Sequence, residues 1–148
     1  MQIGIIGSGD VARSLGSGFV TTGHRVRLGS RHPDAEALRA WTARVGAAGS
    51  TGTFSEAADF GELLVLATHG VNNAEAIALT GPGRFDGKVL IDATNPLVFD
   101  AAGRPSLAVG GSDSAGERVQ RLLPTARVVK AFNIVGHAHM FRPQFRGG

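Results

Sequence analysis

The chain has 148 residues, 43% of them hydrophobic and 18% charged, with a formal net charge of +3 at pH 7. This length suits one domain with a sizeable core and is short for two independent domains. The absence of cysteine excludes a disulfide framework, a thiolate metal site and a cysteine nucleophile, and we predict no metal site. The arginines are scattered among acidic residues, with no basic helix or aromatic-studded groove, so we expect no nucleic-acid partner.

The ends of the chain and its apolar runs bear on location. No apolar run is long enough to cross a bilayer, and no basic segment precedes the first apolar run. We therefore expect a cytoplasmic protein with no membrane partner. The abundance of Arg, Ala and Gly is typical of a GC-rich bacterium. A homodimer is a candidate assembly.

Short apolar runs alternate with longer helical patterns along the chain. The predicted strands cover residues 2–6, 25–28, 63–67, 88–92 and 127–131, with a weaker strand at 51–53. The predicted helices cover residues 11–22, 34–45, 73–79 and 114–123. Strands this apolar are typical of a parallel sheet covered on both faces. We predict a doubly wound α/β fold of the Rossmann type in a single domain, with strand order 3-2-1-4-5-6.

Residues that are typical of helix ends and loops occur between these predicted elements. Gly23 follows the first helix, where a left-handed residue is favoured, and Pro33 stands at or just before the start of the second. Ser55 is the predicted N-cap of a short helix between the third and fourth strands. Residues 100–113 are rich in Gly and Pro, which predicts a surface loop.

A GxGxxA loop follows the first strand directly. Gly7 permits a tight turn, Gly9 lets the backbone approach a pyrophosphate, and Ala12 keeps the helix close to the sheet. This spacing is common by chance in a chain with 22 glycines. Its position between a strand and a helix of a βαβ unit is what predicts a dinucleotide site rather than a tightly packed turn.

The tip of the second strand indicates which dinucleotide binds. NAD sites place an acidic residue about 20 residues beyond the loop, to bind the ribose 2′-hydroxyl. Here the strand ends in Gly29, Ser30, Arg31 and His32, with no acid. Arg31 suits the 2′-phosphate of NADP(H), because its hydrogen bonds to phosphate are charge-assisted. The alternatives are that Arg31 is a solvated loop arginine and His32 a bystander.

The remaining strands also end in small or polar residues. Thr68, His69 and Gly70 follow the fourth strand, Thr94, Asn95 and Pro96 the fifth, and Asn133 the last. Ligands of open α/β sheets lie at the carboxyl ends of the strands, so we expect these residues around one crevice. Thr68 and His69 are expected to bind the cofactor near its second ribose and nicotinamide. Asn95 and Pro96 are expected to form the wall beyond, with Asn133 facing the ring from the far side. Taken singly, each could instead be a turn former.

Four motifs span most of the sequence: GIIGSGDVA at 4–12, GSRHPD at 29–34, IDATNP at 91–96 and VVKAFN at 128–133. In these motifs the sequence resembles the NADP oxidoreductases that use the deazaflavin coenzyme F420, and the related NADPH-binding domains of ferric reductases. The resemblance implies that the pyrophosphate lies against Ser8, Gly9, Asp10 and Val11, and the 2′-phosphate against Ser30 and Arg31. Members of the family continue with a further strand and helices, whereas this sequence stops at Gly148, so we expect a fragment or a reduced form.

The expected activity is hydride transfer between NADPH and a planar acceptor such as coenzyme F420 or a flavin. Such a reaction needs alignment and exclusion of water more than acid or base groups. His69 and Asn133 are the candidate catalytic residues, as contacts of the acceptor. The absence of tyrosine excludes the Tyr/Lys pair of short-chain dehydrogenases. The alternative function is a non-catalytic module that binds NADPH, senses redox state or passes electrons to a partner.

Overall fold

Strands and helices alternate through the structure, a computed structural model that describes residues 1–144. In chain order the elements are β1 (Gln2–Ile6), α1 (Asp10–Thr21), β2 (Arg25–Gly29), α2 (Glu36–Val45), β3 (Gly49–Gly52), α3 (Phe54–Phe60), β4 (Leu63–Leu66), α4 (Asn73–Thr80), β5 (Val89–Asp92), β6 (Leu97–Phe99), β7 (Pro105–Leu107), α5 (Ala115–Leu122) and β8 (Arg127–Lys130). Short 3-10 turns cover Gly46–Ala48, Gly70–Asn72, Pro82–Phe85 and His137–His139.

The main sheet has six parallel strands in the order β3-β2-β1-β4-β5-β8. The predicted order 3-2-1-4-5-6 is confirmed, with β8 as the sixth strand of this sheet. Strands β6 and β7 form a separate antiparallel pair. The fold is therefore an α/β, Rossmann-type single domain, as the alternation of patterns predicts.

The carboxyl ends of the central strands are in register. Ile6 at the end of β1 lies beside Gly29 of β2 and Leu66 of β4. Leu66 in turn lies beside Asp92 of β5, and Asp92 beside Lys130 of β8. The loops that follow these strands therefore all start at one edge of the sheet, where ligands of this fold bind.

The core occupies both faces of the sheet. On one face Ile5 packs with α1 and with Trp41 of α2, and on the other Leu66 packs with α3 and α4. The indole N–H of the buried Trp41 donates to the Arg13 carbonyl at 3.2 Å and to Ser17 Oγ at 3.0 Å. Burying one such large apolar side chain contributes about 1.5–3 kcal/mol, so this contact holds α1 firmly on the sheet. The position of α1 matters because its N-terminus follows the glycine loop.

The start of α3 differs from the prediction, which was wrong to name Ser55 as the cap. Thr53 is the N-cap: its Oγ1 accepts from the Glu56 N–H at 3.2 Å, and the Glu56 carboxylate accepts from the Thr53 N–H at 2.7 Å. The backbone N–H of Thr53, and after it the Thr53 hydroxyl, lower the pKa of Glu56. Ser55 instead donates to the Thr80 carbonyl at 3.0 Å. The T-x-x-E spacing of a capping box selects Thr53.

Two further predictions concern irregular segments. The loop prediction for 100–113 was wrong in part, because residues 105–107 form β7 and pair with β6. These strands have three residues each and are mostly exposed, so they leave no apolar alternation in the sequence. Pro33 precedes the helix start by three positions, since α2 begins at Glu36. Gly23 has a φ of +87°, as its predicted role at the end of α1 requires.

Residues 1–144 contain neither a membrane-spanning helix nor a cluster of metal-binding side chains. None of the helices in this part of the chain is long and apolar enough to cross a membrane. The same residues contain no group of three or more His, Cys, Asp or Glu side chains that could hold a metal ion.

Candidate nucleotide-binding site

A cleft of about 580 Å³ opens at the carboxyl edge of the parallel strands. It is lined by most of the predicted site residues: Gly7, Ser8, Gly9, Asp10, Val11, Ser30, Arg31, His32, Thr68, His69, Asn95 and Asn133. Two predicted residues lie elsewhere. Ala12 is fully buried in the core beneath the loop, and Pro96 is buried beside an adjacent cleft of about 590 Å³.

The first glycine of the loop is required by both conformation and space. Gly7 has a φ of +136°, and a Cβ at this position would lie 2.3 Å from the Ala67 carbonyl oxygen. Its N–H donates to the Gly29 carbonyl at 3.1 Å. Only glycine accommodates this turn, which brings the loop between the ends of β2 and β4.

The second glycine leaves room in front of the first helix. Gly9 is the N-cap of α1 at φ −74°, and no side chain caps the helix. A Cβ on Gly9 would meet nothing within 4 Å. The first N–H groups of a helix lack partners within the helix, and the helix dipole favours an anion there. The loop therefore fits a pyrophosphate, which could approach the backbone without displacing protein atoms.

Asp10 would place a negative charge beside that anion, but it is paired. Arg13 Nη2 lies 2.5 Å from Asp10 Oδ1, and Arg13 Nη1 donates to the Ser8 carbonyl at 2.8 Å. One guanidinium thus offsets the carboxylate and fixes the loop. Asp10 is suited to contribute its backbone N–H to a phosphate rather than its side chain.

The tip of β2 presents one buried hydroxyl and two exposed cationic or titratable side chains. Ser30 is 7% exposed, and its Oγ lies 3.2 Å from Ser8 Oγ and accepts from the His32 N–H at 3.0 Å. Arg31 and His32 are exposed on the rim of the cleft. Within residues 1–144 Arg31 makes no hydrogen bond or ion pair, so its guanidinium is available to a ligand.

A buried polar chain lies under the opposite half of the cleft. Thr68 Oγ1 donates to Asn73 Oδ1 at 2.8 Å, and Asn73 Nδ2 donates to Thr94 Oγ1 at 2.8 Å. Thr94 Oγ1 donates to Asp92 Oδ1 at 2.7 Å, and Lys130 Nζ lies 3.0 Å from Asp92 Oδ2. Lys130 also donates to the Thr94 carbonyl. Sequence reasoning named Thr94 as a strand-end residue of the crevice. It missed Asn73, Asp92 and Lys130, although a charged residue at the end of an apolar strand is a usable signal.

The loops after β4, β5 and β8 are joined to one another. Asn95 Nδ2 donates to the Asn133 carbonyl at 2.5 Å, and Gly70 N–H donates to the Asn95 carbonyl at 3.1 Å. A Cβ on Gly70 would lie 2.4 Å from that same oxygen, so glycine is needed for the loops to meet. His69, next to this contact, is exposed. The structure therefore brings Asn95 and Asn133 together and leaves His69 at the rim.

The segment after β8 forms a wall that sequence reasoning did not find. Phe132 has a φ of +65°, a strained conformation for a bulky residue, and it lines the cleft with Val135, Gly136, His137 and Met140. Residues from other elements that also line the cleft are Phe54, Glu75, Leu79, Leu97 and Phe99. No local pattern in the sequence marks these residues, because only the fold brings them to one cleft.

The adjacent cleft lies on the β8 side of Asn95 and Asn133. Lys130 and the residues before α5 line it. There Asp113 accepts hydrogen bonds from Arg118 Nε and from Arg121 Nη2, both at 2.8 Å. The bond from Arg118, and then that from Arg121, lowers the pKa of Asp113 to about 2. The carboxylate stays ionised and fastens the preceding loop to α5.

The fold and the cleft together define a Rossmann-type nucleotide-binding domain. A family model described as "NADP oxidoreductase coenzyme F420-dependent" matches residues 2–96, from the first strand to the end of the IDATNP motif. The chain therefore belongs to this family of NADP-dependent oxidoreductases, as its motifs predict. The VVKAFN segment and the wall that follows it lie beyond the matched residues.

Individual relatives agree with this assignment. The chain is 32% identical over 136 residues to the metalloreductase STEAP3 of Rattus norvegicus, covering 90% of this chain and 25% of that protein. It is also 32% identical to a protein of Arthrobacter sp. FB24 provisionally assigned as an F420-dependent NADP reductase, with a TM-score of 0.90. That match covers 97% of this chain and 67% of the Arthrobacter protein. The chain thus spans a quarter of the first relative and about two-thirds of the second.

More distant structures share the fold alone. A reductive aminase of Aspergillus terreus, solved with NADPH4, cyclohexanone and allyl amine, is 18% identical with a TM-score of 0.61. The match covers 87% of this chain and 39% of the aminase. At this identity the likeness supports the arrangement of strands and helices and says nothing of the substrate.

Proposed function

We propose that this chain binds NADP(H) in the cleft and exchanges hydride with a planar acceptor such as coenzyme F420 or a flavin. The observation that carries the proposal is that the uncapped start of α1 faces the same cleft as Arg31, which has no partner among residues 1–144. One suits a pyrophosphate and the other a 2′-phosphate. When bound, NADPH supplies a hydride equivalent from C4 of its nicotinamide.

The protein's own part in binding is mainly electrostatic. The N–H groups at the start of α1 would hold the pyrophosphate, with Gly9 leaving space for it. Arg31 would pair with the 2′-phosphate, and His32 stands beside it on the rim. Ser30 links the two loops through Ser8, so it supports the phosphate sites from below. The absence of a carboxylate at residues 29–32 removes the usual partner of the NADH 2′-hydroxyl.

The protein's part in the reaction would be alignment and exclusion of water. Leu97, Phe99, Val135 and Met140 give the cleft an apolar surface against which a flat ring can stack. Asn133 lines this same cleft and is steadied by Asn95, whose amide donates to the Asn133 carbonyl. We propose Asn133 and His69 as contacts of the acceptor.

A second candidate is that the chain holds NADPH without turning over an acceptor of its own. The observation in its favour is the match to one quarter of rat STEAP3, since the remaining three quarters of that metalloreductase lie outside the similarity. In this reading the nicotinamide side of the cleft delivers electrons to a partner or senses redox state. The cytoplasmic location and the homodimer stay predictions.

A two-stage experiment separates these possibilities. Calorimetric titration with NADPH and NADH should show tighter binding of NADPH, by about tenfold to hundredfold for one charged hydrogen-bonding group. NADPH oxidation is then followed with F420, FMN and FAD as acceptors. Turnover supports the oxidoreductase, whereas tight binding without turnover favours the module. If neither nucleotide binds, both readings are wrong.

The acceptor contacts are tested on the same assay. His69→Ala and Asn133→Ala should raise the acceptor KM and leave the Kd for NADPH unchanged. His24→Ala is the matched control, because His24 lies immediately before β2 and outside the cleft. If a variant instead loses affinity for NADPH, the substituted residue contacts the cofactor rather than the acceptor.

A further inference from the structure

The buried polar chain under the cleft joins two solvent-facing ends. Lys130 stands at one end, with its side chain 31% exposed in the adjacent cleft. Thr68 stands at the other, half-buried and lining the nucleotide cleft. Between them Asp92 is 0% exposed and Thr94 2% exposed. All the buried side-chain polar atoms in residues 1–144 have hydrogen-bond partners. Every buried member of this row of polar side chains therefore has its hydrogen bonds satisfied.

The Asp92–Lys130 ion pair determines which group donates and which accepts in each hydrogen bond of this row of side chains. Asp92 is paired with Lys130 and can only accept, so the single hydroxyl hydrogen of Thr94 must point to Asp92. Thr94 Oγ1 is then limited to accepting, and it takes its hydrogen bond from Asn73 Nδ2. The amide of Asn73 is thereby oriented, with its oxygen towards the cleft side.

The same constraint determines the hydrogen-bonding role of Thr68, which lines the cleft. Asn73 Oδ1 can only accept, so the hydroxyl hydrogen of Thr68 is committed to it at 2.8 Å. What Thr68 Oγ1 retains for a ligand is lone pairs. It offers no hydrogen to a phosphate oxygen, which itself only accepts, and it suits a ligand that donates an N–H or O–H group.

The position of Thr68 indicates which part of a dinucleotide would meet it. The β2 tip with Arg31 lies on one side of β1, and β4 with Thr68 lies on the other. If the 2′-phosphate lies at the β2 tip and the pyrophosphate at the end of β1, the nicotinamide half extends over β4. That half carries two kinds of donor, the ribose hydroxyls and the carboxamide NH₂.

We propose that the Asp92–Lys130 pair, acting through Thr94 and Asn73, holds Thr68 Oγ1 as an obligate acceptor for a donor on the nicotinamide half of NADP(H). This inference rests on the proposed nucleotide function. Thr68 is the binding residue, and Asp92, Thr94, Asn73 and Lys130 are positioning residues. The ligand group that Thr68 would bind is a neutral hydrogen-bond donor, either a hydroxyl of the ribose or the NH₂ of the carboxamide.

The test is a Thr68→Val substitution measured against three ligands. These are NADP⁺, its 3-acetylpyridine analogue, which keeps the ribose but lacks the carboxamide NH₂, and adenosine 2′,5′-bisphosphate, which lacks both donors. Losing one neutral hydrogen bond should weaken NADP⁺ binding about 3- to 10-fold. An equal loss with the acetylpyridine analogue identifies the ribose, and no loss with it identifies the carboxamide. Thr68→Ser should restore the wild-type Kd.

The bisphosphate decides between the proposal and a merely structural effect. Its Kd should be unchanged in Thr68→Val, because it reaches only the β1 and β2 side. A loss with all three ligands, or with none, would overturn the proposal. Failure of the wild-type protein to bind NADP⁺ or NADPH would instead refute the proposed function, so the two failures are distinguishable.

The effect of Thr94 on Thr68, transmitted through Asn73 and called the relay, is tested by a double-mutant cycle. Thr94→Val should weaken NADP⁺ binding by the same factor as Thr68→Val and add nothing to it in the double variant. Thr94→Ser should bind normally. Thr80→Val is the matched control, since Thr80 is also fully buried but bonds to its own helix at 2.6 Å. Additive losses would overturn the relay, and the Thr68 variants decide the proposal if Thr94→Val does not fold.

Discussion

The two halves of the cleft are built in opposite ways. The half proposed to hold the phosphates, called the phosphate half, comprises residues 7–11 and 30–32. These are consecutive residues in two neighbouring loops, with Arg31 and His32 exposed at the rim. The half proposed to hold the nicotinamide, called the nicotinamide half of the cleft, comprises residues 68–70, 92–95 and 130–133. Buried and part-buried side chains join its three loops. The first half offers backbone N–H groups and an exposed charge, whereas the second offers oriented neutral groups.

This difference follows from what each half would bind. An anion is held by free N–H groups and a guanidinium that keep their hydration until the ligand arrives. A neutral ring or sugar needs hydrogen-bonding groups of fixed direction, and buried networks fix direction because every member must be satisfied. Substitutions in the phosphate half should therefore change binding of the nucleotide as a whole, and those in the nicotinamide half should discriminate between ligands.

The largest effect on binding is expected at Gly9. A Gly9→Val side chain would project into the open space in front of α1, so NADPH binding should be abolished while the fold is kept. Calorimetry measures binding and circular dichroism the fold. Gly83→Val is a matched control outside the cleft, where the nearest atom to the added Cβ lies 3.9 Å away. Native affinity in Gly9→Val would mean that the phosphate loop lies elsewhere.

The neighbouring glycine should fail in a different way. Gly7→Ala forces a Cβ to within 2.3 Å of the Ala67 carbonyl at a φ of +136°. Strain and overpacking of this kind cost about 3 kcal/mol together, so the midpoint of urea unfolding should fall. Gly9→Ala should unfold like the wild type. Equal stability of Gly7→Ala and Gly9→Ala would contradict the different roles of the two glycines.

An intermediate effect is expected at the rim of the phosphate half. Arg31→Ala should weaken NADPH binding about tenfold to hundredfold, the value of a charged hydrogen bond, and leave NADH binding nearly unchanged. Added salt should weaken NADPH binding more than NADH binding, since the contact is exposed and screened. Arg39→Ala, on the exposed face of α2, is the control. A parallel loss of both nucleotides would show that Arg31 does not read the 2′-phosphate.

The smallest effect is expected at Thr53, which precedes the cleft-lining Phe54 but does not itself line the cleft. Thr53→Ala removes the N-cap and should cost about 1 kcal/mol of unfolding free energy without changing nucleotide affinity. The pKa of Glu56 is lowered in the folded state, so its charge stabilises the fold above pH 4.5 and that contribution is lost as the pH falls through the lowered pKa. Wild type should therefore exceed Glu56→Gln in stability at neutral pH, and the difference should vanish in acid. A difference that does not depend on pH would contradict the capping contact.

The phosphate half was predictable because its signals are local. Gly7 and Gly9 follow a strand directly, and Arg31 ends the next strand, so a few consecutive residues carry the chemistry. The nicotinamide half was predictable only as a set of strand ends, such as Thr68 and Asn95. Its partners could not be assigned, because hydrogen bonds between residues far apart in the chain depend on register. Short exposed strands such as β7 were missed because they bury no apolar face.

The sequence by itself determined the order of the sheet, the glycine loop and the family, since hydrophobic periodicity and short motifs record local constraints. Only the tertiary structure decided that Asp92 and Lys130 pair across β5 and β8 and that Thr68 lies at the end of their network. It also decided that residues 132–140 form a wall of the cleft. The physical reason is that a buried polar group takes whichever partner the fold brings within hydrogen-bonding distance, and separation along the chain does not indicate that partner.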